Sequence, residues 1–306
     1  MYDYTTLKMG EYVLTLTDDN KISPAIKMDG EKNIIIPSSE NEPKEVIHYC
    51  HLDSFKNIIK TNLFWMSCLN NVNDKKEGKW FIELLKETVS SNFKINKSQK
   101  DVVTALIYVI LLNLQNAYAT CFTTLKDNFE KWEIYGNNGK GIAFVINPKK
   151  LSITRGLPIR SQTASSQEIC AFVKMNYNLK EQQDIIKKYI QMAIINPQIR
   201  YNVATFLSKL AYTCKRNNFH TENEWRVLFT PLEYIKGYSI SNTSSFSICE
   251  HFMYNDKKYY GFYLPDDLIS EIIIGPNANI CKDEIYQLLS KYNYNIDSIR
   301  VYKSTI

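Results

Sequence analysis

None of the seven cysteines pairs with another at CxxC spacing, and Cys50, Cys68, Cys121, Cys170, Cys214, Cys249 and Cys281 are widely scattered. An odd number of isolated thiols points to a reducing compartment and mostly buried cysteines. Histidine is scarce too: His48, His51, His220 and His251 are the four. His48, Cys50, His51 and Asp53 lie close together, but no second pair stands at ligand spacing. In a strand His51 would face away from His48 and Cys50, so no metal is expected. GxSxG, a P-loop and GxGxxG are all missing, and GNNGKG (136–141) lacks the Lys-Ser/Thr ending of a nucleotide loop. No basic run reaches five residues. MYDYTTLKMG has no basic flank leading into an apolar stretch, so no signal peptide is evident. The longest apolar run, VVTALIYVILL (102–112), is too short to span a bilayer and fits a buried helix. A soluble, cytoplasmic protein with no membrane partner is expected.

What is present suits a globular chain. Of 306 residues, 44% are hydrophobic and 23% charged, enough for a sizeable core. The net charge of +5 is spread out, so it permits nucleic acid as a partner without indicating it. The 21 tyrosines accompany an excess of Lys, Asn and Ile, a pattern that codon bias in an AT-rich genome explains.

Residues 1–44 read as a β-rich extension ending in the linker PSSENEP (37–43), and residues 45–306 as one domain. In that domain VIHYC (46–50), LFWMS (63–67), ATCFTT (119–124), IAFVIN (142–147), ICAFVKM (169–175), SSFSIC, KYYGFYL, EIIIG (271–275) and SIRVYKS are strand-like. Helices are expected at 52–62, 79–92, 99–116, 179–194, 198–217 and KDEIYQLLSKY, with Pro197 breaking the long pair. Strands and helices mix without βαβ repetition. The fold class is therefore α+β, with a mixed, mostly antiparallel sheet and helices packed around it.

FHTENEWRVLF (219–229) carries the central question. Alternation puts Glu224, Arg226 and Leu228 on one face of a strand and Trp225, Val227 and Phe229 on the other, so the strand is covered on both sides. A carboxylate and a guanidinium then share one buried face, either as a structural ion pair or as part of a site. Glu222 reads as a rim residue and Trp225 as packing. Asn73, Asp74 and Glu77 in NNVNDKKEG (70–78) fit a turn that caps a helix. Trp132 and Tyr135, three residues apart, form either a packing face or an aromatic wall against a flat ligand.

Four blocks occur in order: HYCHLDSFKNIIKTNLFWMSCLNNVNDKKEG, CFTTLKDNFEKWEIYGNNGKGIAFVIN, NFHTENEWRVLF and LPDDLISEIIIGPNANICKDEIYQLL. Together they resemble the bacterial family known as domain of unknown function 2971, over about residues 46–303. The family's Asn-Asp-Pro-x-Glu turn appears here without its proline, as Asn73-Asp74-Lys75-Lys76-Glu77. A weaker resemblance runs to ADP-ribosyltransferases of the His-Tyr-Glu branch: a first strand with His, a helix, a strand ending in Ser, and a late strand with Glu. That resemblance implies an ADP-ribosyltransferase-like fold and NAD as substrate, with His48 on a ribose and Glu224 on the nicotinamide-ribose hydroxyl. Either Ser67 or Tyr135 takes the middle position. Tyr49 and Cys50 follow the His where the branch has a small residue and Thr.

The expectation is an NAD-consuming toxin or anti-phage defence effector that modifies an unknown macromolecular acceptor, protein or nucleic acid. Glu224 and His48 would be catalytic, with Tyr49, Ser67, Asn73, Asp74, Glu77, Trp132, Tyr135 and Arg226 lining the cleft. Two alternatives stand beside it. One is a nuclease with Asp74, Glu77 and Glu224 around a divalent ion; the other is a non-enzymatic sensor or adaptor.

Overall fold

The computed structural model describes residues 6–9, 12–16, 24–27, 34–35, 42–69, 79–114, 117–151, 153–155, 169–231, 248–254 and 256–306. Asn73, Asp74 and Glu77 lie outside them, as does most of the Ser/Thr-rich stretch before residue 169. Four strands, β1 (Thr6–Met9), β2 (Tyr12–Leu16), β3 (Pro24–Lys27) and β4 (Ile34–Ile35), pair only with one another.

The other eleven strands form a second sheet, antiparallel except where β9 (Thr154–Arg155) meets β10 (Ile169–Lys174) and β14 (Ile269–Ile274) meets β15 (Arg300–Lys303). With seven described α-helices around it, this is the expected α+β class. One path through the sheet runs β12 (Ile248–Tyr254), β13 (Lys257–Tyr263), β6 (Leu63–Cys68), β7 (Tyr118–Thr123), β5 (Val46–Cys50), β8 (Ile142–Ile146), β14, β15. The path forks at β7. Its start pairs with β6 and its end with β5, while along its length it pairs with β11 (Glu224–Thr230), which continues to β10. Between β7 and β5 only Ile47 and Thr123 are in register, so the two strands part on leaving that point.

Alternation along these strands divides the core. Trp225, Val227 and Phe229 join Phe122, Phe64 and Phe144 on one face, under α1 (Leu52–Thr61) and α7 (Lys282–Lys291). α1 forms because Phe55, Ile58 and Ile59 make one apolar stripe, and it stops at Asn62, whose φ of 54° is left-handed. Leu228 and Ala119 face the other way, into a helical layer of α2 (Lys79–Asn92), α3 (Lys97–Asn113), α5 (Leu179–Ile195) and α6 (Arg200–Ala211). A smaller cluster of Ile47, Tyr49, Val145 and Trp132 occupies the same face further along, under α4 (Phe129–Ile134).

Two helices differ from expectation. α3 leaves Tyr108, Leu111 and Leu112 exposed on one side, so it is half-buried instead of enclosed. α6 ends at Ala211, short of residue 217, because the chain after it makes tertiary contacts instead. Cys214 forms a β-bridge with Asn176, and the Lys215 amide donates to the Asn176 carbonyl at 3.0 Å. Those bonds satisfy backbone groups that another helical turn would have used. They also turn Lys215 back toward β11.

Candidate functional site

On the face shared by the helical layer and the small α4 cluster, a cavity of about 570 Å³ opens where β7 and β5 part. Glu224, Arg226, Thr123 and Cys121 supply its floor from β11 and β7. Ile47 and Tyr49 border it from β5; Lys131, Ile134 and Tyr135 from α4 and its end; Lys215, Phe219 and Glu222 from the segment leading into β11. That segment is a 3-10 turn, Asn217–Glu222, and Asn223 at φ 44° swings the chain from it into the strand.

All seven residues of β11 are buried, which confirms the two-sided cover read from its alternation. Glu224 and Arg226 do share one face. The Arg226 Nε donates to Glu224 Oε1 at 2.6 Å, and Lys215 Nζ donates to Glu224 Oε2 at 2.5 Å. Arg226 also donates to the Tyr212 carbonyl at 3.2 Å, and the Glu224 amide donates to the Tyr177 hydroxyl at 3.1 Å. Burial pushes the Glu224 carboxyl upward, but the charges of Arg226 and Lys215 overrule it and hold the group down at about 2. Glu224 is thus a fixed carboxylate at any physiological pH, unsuited to carrying a proton.

Glu222, set aside as a rim residue, belongs to this network. Its Oε2 accepts from Lys215 at 2.7 Å and its Oε1 accepts from the Tyr135 hydroxyl at 3.2 Å. Burial, then the neighbouring Glu222 charge, raises the Tyr135 phenol well above its usual range, so it stays a donor. Lys215 is the residue that periodicity could not find, because a turn and not a repeat brings it to the strand. Glu222 escapes the strand's alternation for the same reason: it ends the 3-10 turn, and the left-handed Asn223 separates it from β11.

His48 borders the same cavity, although its side chain and that of Phe122 belong to the opposite strand face. The parting of β5 and β7 explains this, since both residues reach the opening from behind. The His48 ring packs against Phe64 and Phe122 at centroid distances of 5.1 and 5.6 Å. Its Nδ1 lies 2.9 Å from the Cys121 carbonyl. A carbonyl only accepts, so Nδ1 carries the proton and the neutral ring keeps a lone pair on Nε2. Burial lowers the His48 pKa, against an opposing effect from that hydrogen bond, which favours this neutral form.

The remaining expected residues divide. Tyr49 borders the cavity with its ring, while its hydroxyl donates to the Leu125 carbonyl at 2.8 Å and accepts from the Asn128 amide at 3.0 Å. Burial pushes that phenol up to about 12. Trp132 lies behind the wall, fully buried: Nε1 donates to Asp127 at 2.8 Å and the ring meets Tyr49 edge-on at 4.8 Å. Gly136 is packed so closely on that indole that an added Cβ would come within 2.4 Å of it. Ser67 sits on β6, opposite Ala119 and Tyr259, and does not border the cavity.

Among the described residues no group of three His, Cys, Asp or Glu side chains could hold a metal ion, and no helix is long and apolar enough to cross a membrane.

Residues 131–227 match the model of a family described as "Protein of unknown function (DUF2971)". That span runs from α4 to β11 and contains Lys131, Tyr135, Lys215, Glu222, Glu224 and Arg226, but not His48. No curated protein and no solved structure matches the chain. The family model carries no activity, and none of these comparisons supports the resemblance to ADP-ribosyltransferases.

Proposed function

We propose that the cavity at Glu224 binds NAD and that the protein breaks the nicotinamide–ribose bond, transferring ADP-ribose to a macromolecular acceptor as a toxin or defence effector. What carries the reading is a buried carboxylate, held ionised, in a ligand-sized cavity that His48 and the Tyr135 ring also border. In this reaction the C–N bond breaks and its electron pair leaves with the nicotinamide nitrogen. The ribosyl carbon passes through an oxocarbenium-like state and is attacked by an acceptor oxygen or nitrogen, which gives up a proton. Glu224 acts electrostatically on the developing positive charge, and the His48 Nε2 accepts from a ribose hydroxyl. Arg226 and Lys215 occupy both Glu224 oxygens. A diphosphate competes for Lys215 and uncovers one of them.

That same double engagement favours a second reading, ligand binding without turnover, because a carboxylate between two cations presents little net negative field. Incubation with NAD, following nicotinamide release and label transfer, tests the pair. Release that falls strongly in Glu224→Gln supports the enzyme. Binding without release selects the sensor, and equal release by wild type and variant removes Glu224 from the mechanism. A nuclease would require magnesium and ignore NAD; of its three acids only Glu224 is among the described residues, and its oxygens are already held by cations.

A further inference from the structure

Lys131 is the buried cation whose charge the cavity does not balance. Its side chain is 1% exposed, yet among the described residues its Nζ has no hydrogen-bond partner. The carboxylate of Glu130 stands 3.6 Å away, too far for such a bond, and is itself half in solvent. The Tyr135 ring lies beneath the ammonium with its centroid at 5.9 Å. Five charged side chains border the cavity: Lys131, Lys215, Arg226, Glu222 and Glu224. Lys215 bridges the two glutamates and Arg226 holds Glu224, so two carboxylates answer those two cations and Lys131 is the excess charge. An ammonium taken out of water without hydrogen bonds is strongly disfavoured. A lysine retained in that position, at the wall of an open cavity, is poised for an anion that arrives from outside.

We propose that Lys131 is an anion-binding group of this cavity and takes a phosphate oxygen of the ligand, while the Tyr135 face beside it takes the ligand's planar part. That the phosphate belongs to NAD rests on the function proposed above; that an anion binds at Lys131 does not. Phosphate oxygens would supply the acceptors that the ammonium lacks, in a charge-assisted bond shielded from water.

The test uses the full chain, with pyrophosphate, ADP-ribose and phosphate-free nicotinamide riboside as probes, read by calorimetric titration and thermal shift. Pyrophosphate and ADP-ribose should bind the wild type and raise its Tm by mass action. Lys131→Met should weaken both about 10- to 100-fold, the range for one lost charge-assisted hydrogen bond, and Lys131→Arg should restore most of it. Nicotinamide riboside should bind the wild type and Lys131→Met alike. If the Met variant does not fold, Lys131→Gln takes its place. Equal binding of pyrophosphate and ADP-ribose by wild type and variant, or no binding of either by the wild type, overturns the proposal. Pyrophosphate binding through Lys131 without nicotinamide release would leave it standing and refute NAD cleavage instead.

Discussion

Two carboxylates stand in one cross-strand row of the same sheet, each clamped by two cations, and they do different work. The row runs Glu224, Thr123, Ile47, Val145, Glu271 across β11, β7, β5, β8 and β14. Glu271 accepts from Lys126 at 2.6 Å, from Arg300 and from the Tyr302 hydroxyl. Lys126 also reaches Glu45 at 3.1 Å. Burial raises the Glu271 carboxyl, and its bonds with Lys126 and Arg300 bring it below the usual range, the same logic as at Glu224. Yet Arg300 is 66% exposed and its guanidinium is in water, whereas Arg226 is 1% exposed. The Glu271 cluster ties β15 and the β7–α4 connection to β14. The Glu224 cluster borders a cavity. Identical partner chemistry therefore does not define a site; its setting does.

The largest break in the comparison should come from Arg226→Met. It leaves Glu224 buried against Lys215 alone and the Tyr212 carbonyl without its donor, a loss of about 3–5 kcal/mol by denaturant unfolding. The corresponding Arg300→Met removes a guanidinium that lies in water and leaves Glu271 its Lys126 and Tyr302 partners, so it should cost about 0–1 kcal/mol and less still at high salt. Similar losses for the two arginines would erase the distinction.

Acid unfolding should sharpen it. Glu224 has its folded pKa depressed from 4.5 to about 2, so its stabilisation is complete above 4.5 and is lost as pH falls toward 2. His48 is depressed below 6.5, so the unfolded chain takes up a proton first, and stability begins to fall below pH 6.5. Urea midpoints should therefore decline in two stages. Glu224→Gln should flatten the lower stage and His48→Gln the upper, while Glu271→Gln should leave the upper stage unchanged. The smallest effect is expected at Ser67→Ala, within about 0.5 kcal/mol and without change in ligand binding, since Ser67 lies off the cavity.

Much of this was legible in the residues. Period-two alternation at 224–229 gave both faces of β11 and the Glu224–Arg226 pairing, because a strand buried on both sides leaves charges no outward direction. The helix stripes of α1 and α7 and the break at Pro197 were equally plain. The fork at β7 was not, since nothing local says that one strand ends beside two others. His48 therefore reaches the cavity for a reason that its position in VIHYC does not carry. Lys131 and Lys215 were overlooked for a related cause: lysine reads as a solvated residue, and only tertiary packing buries these two. Trp132 looked like Tyr135's partner on one helical face, but α4 ends at Ile134, just before Tyr135, and the two rings serve core and cavity separately.

The most direct test is nicotinamide release from NAD by wild type, Glu224→Gln and Glu271→Gln, each shown to be folded by its own ligand-free Tm. The account predicts equal release by the wild type and Glu271→Gln and a strong loss in Glu224→Gln. Undiminished release by Glu224→Gln, or none by the wild type, would contradict it.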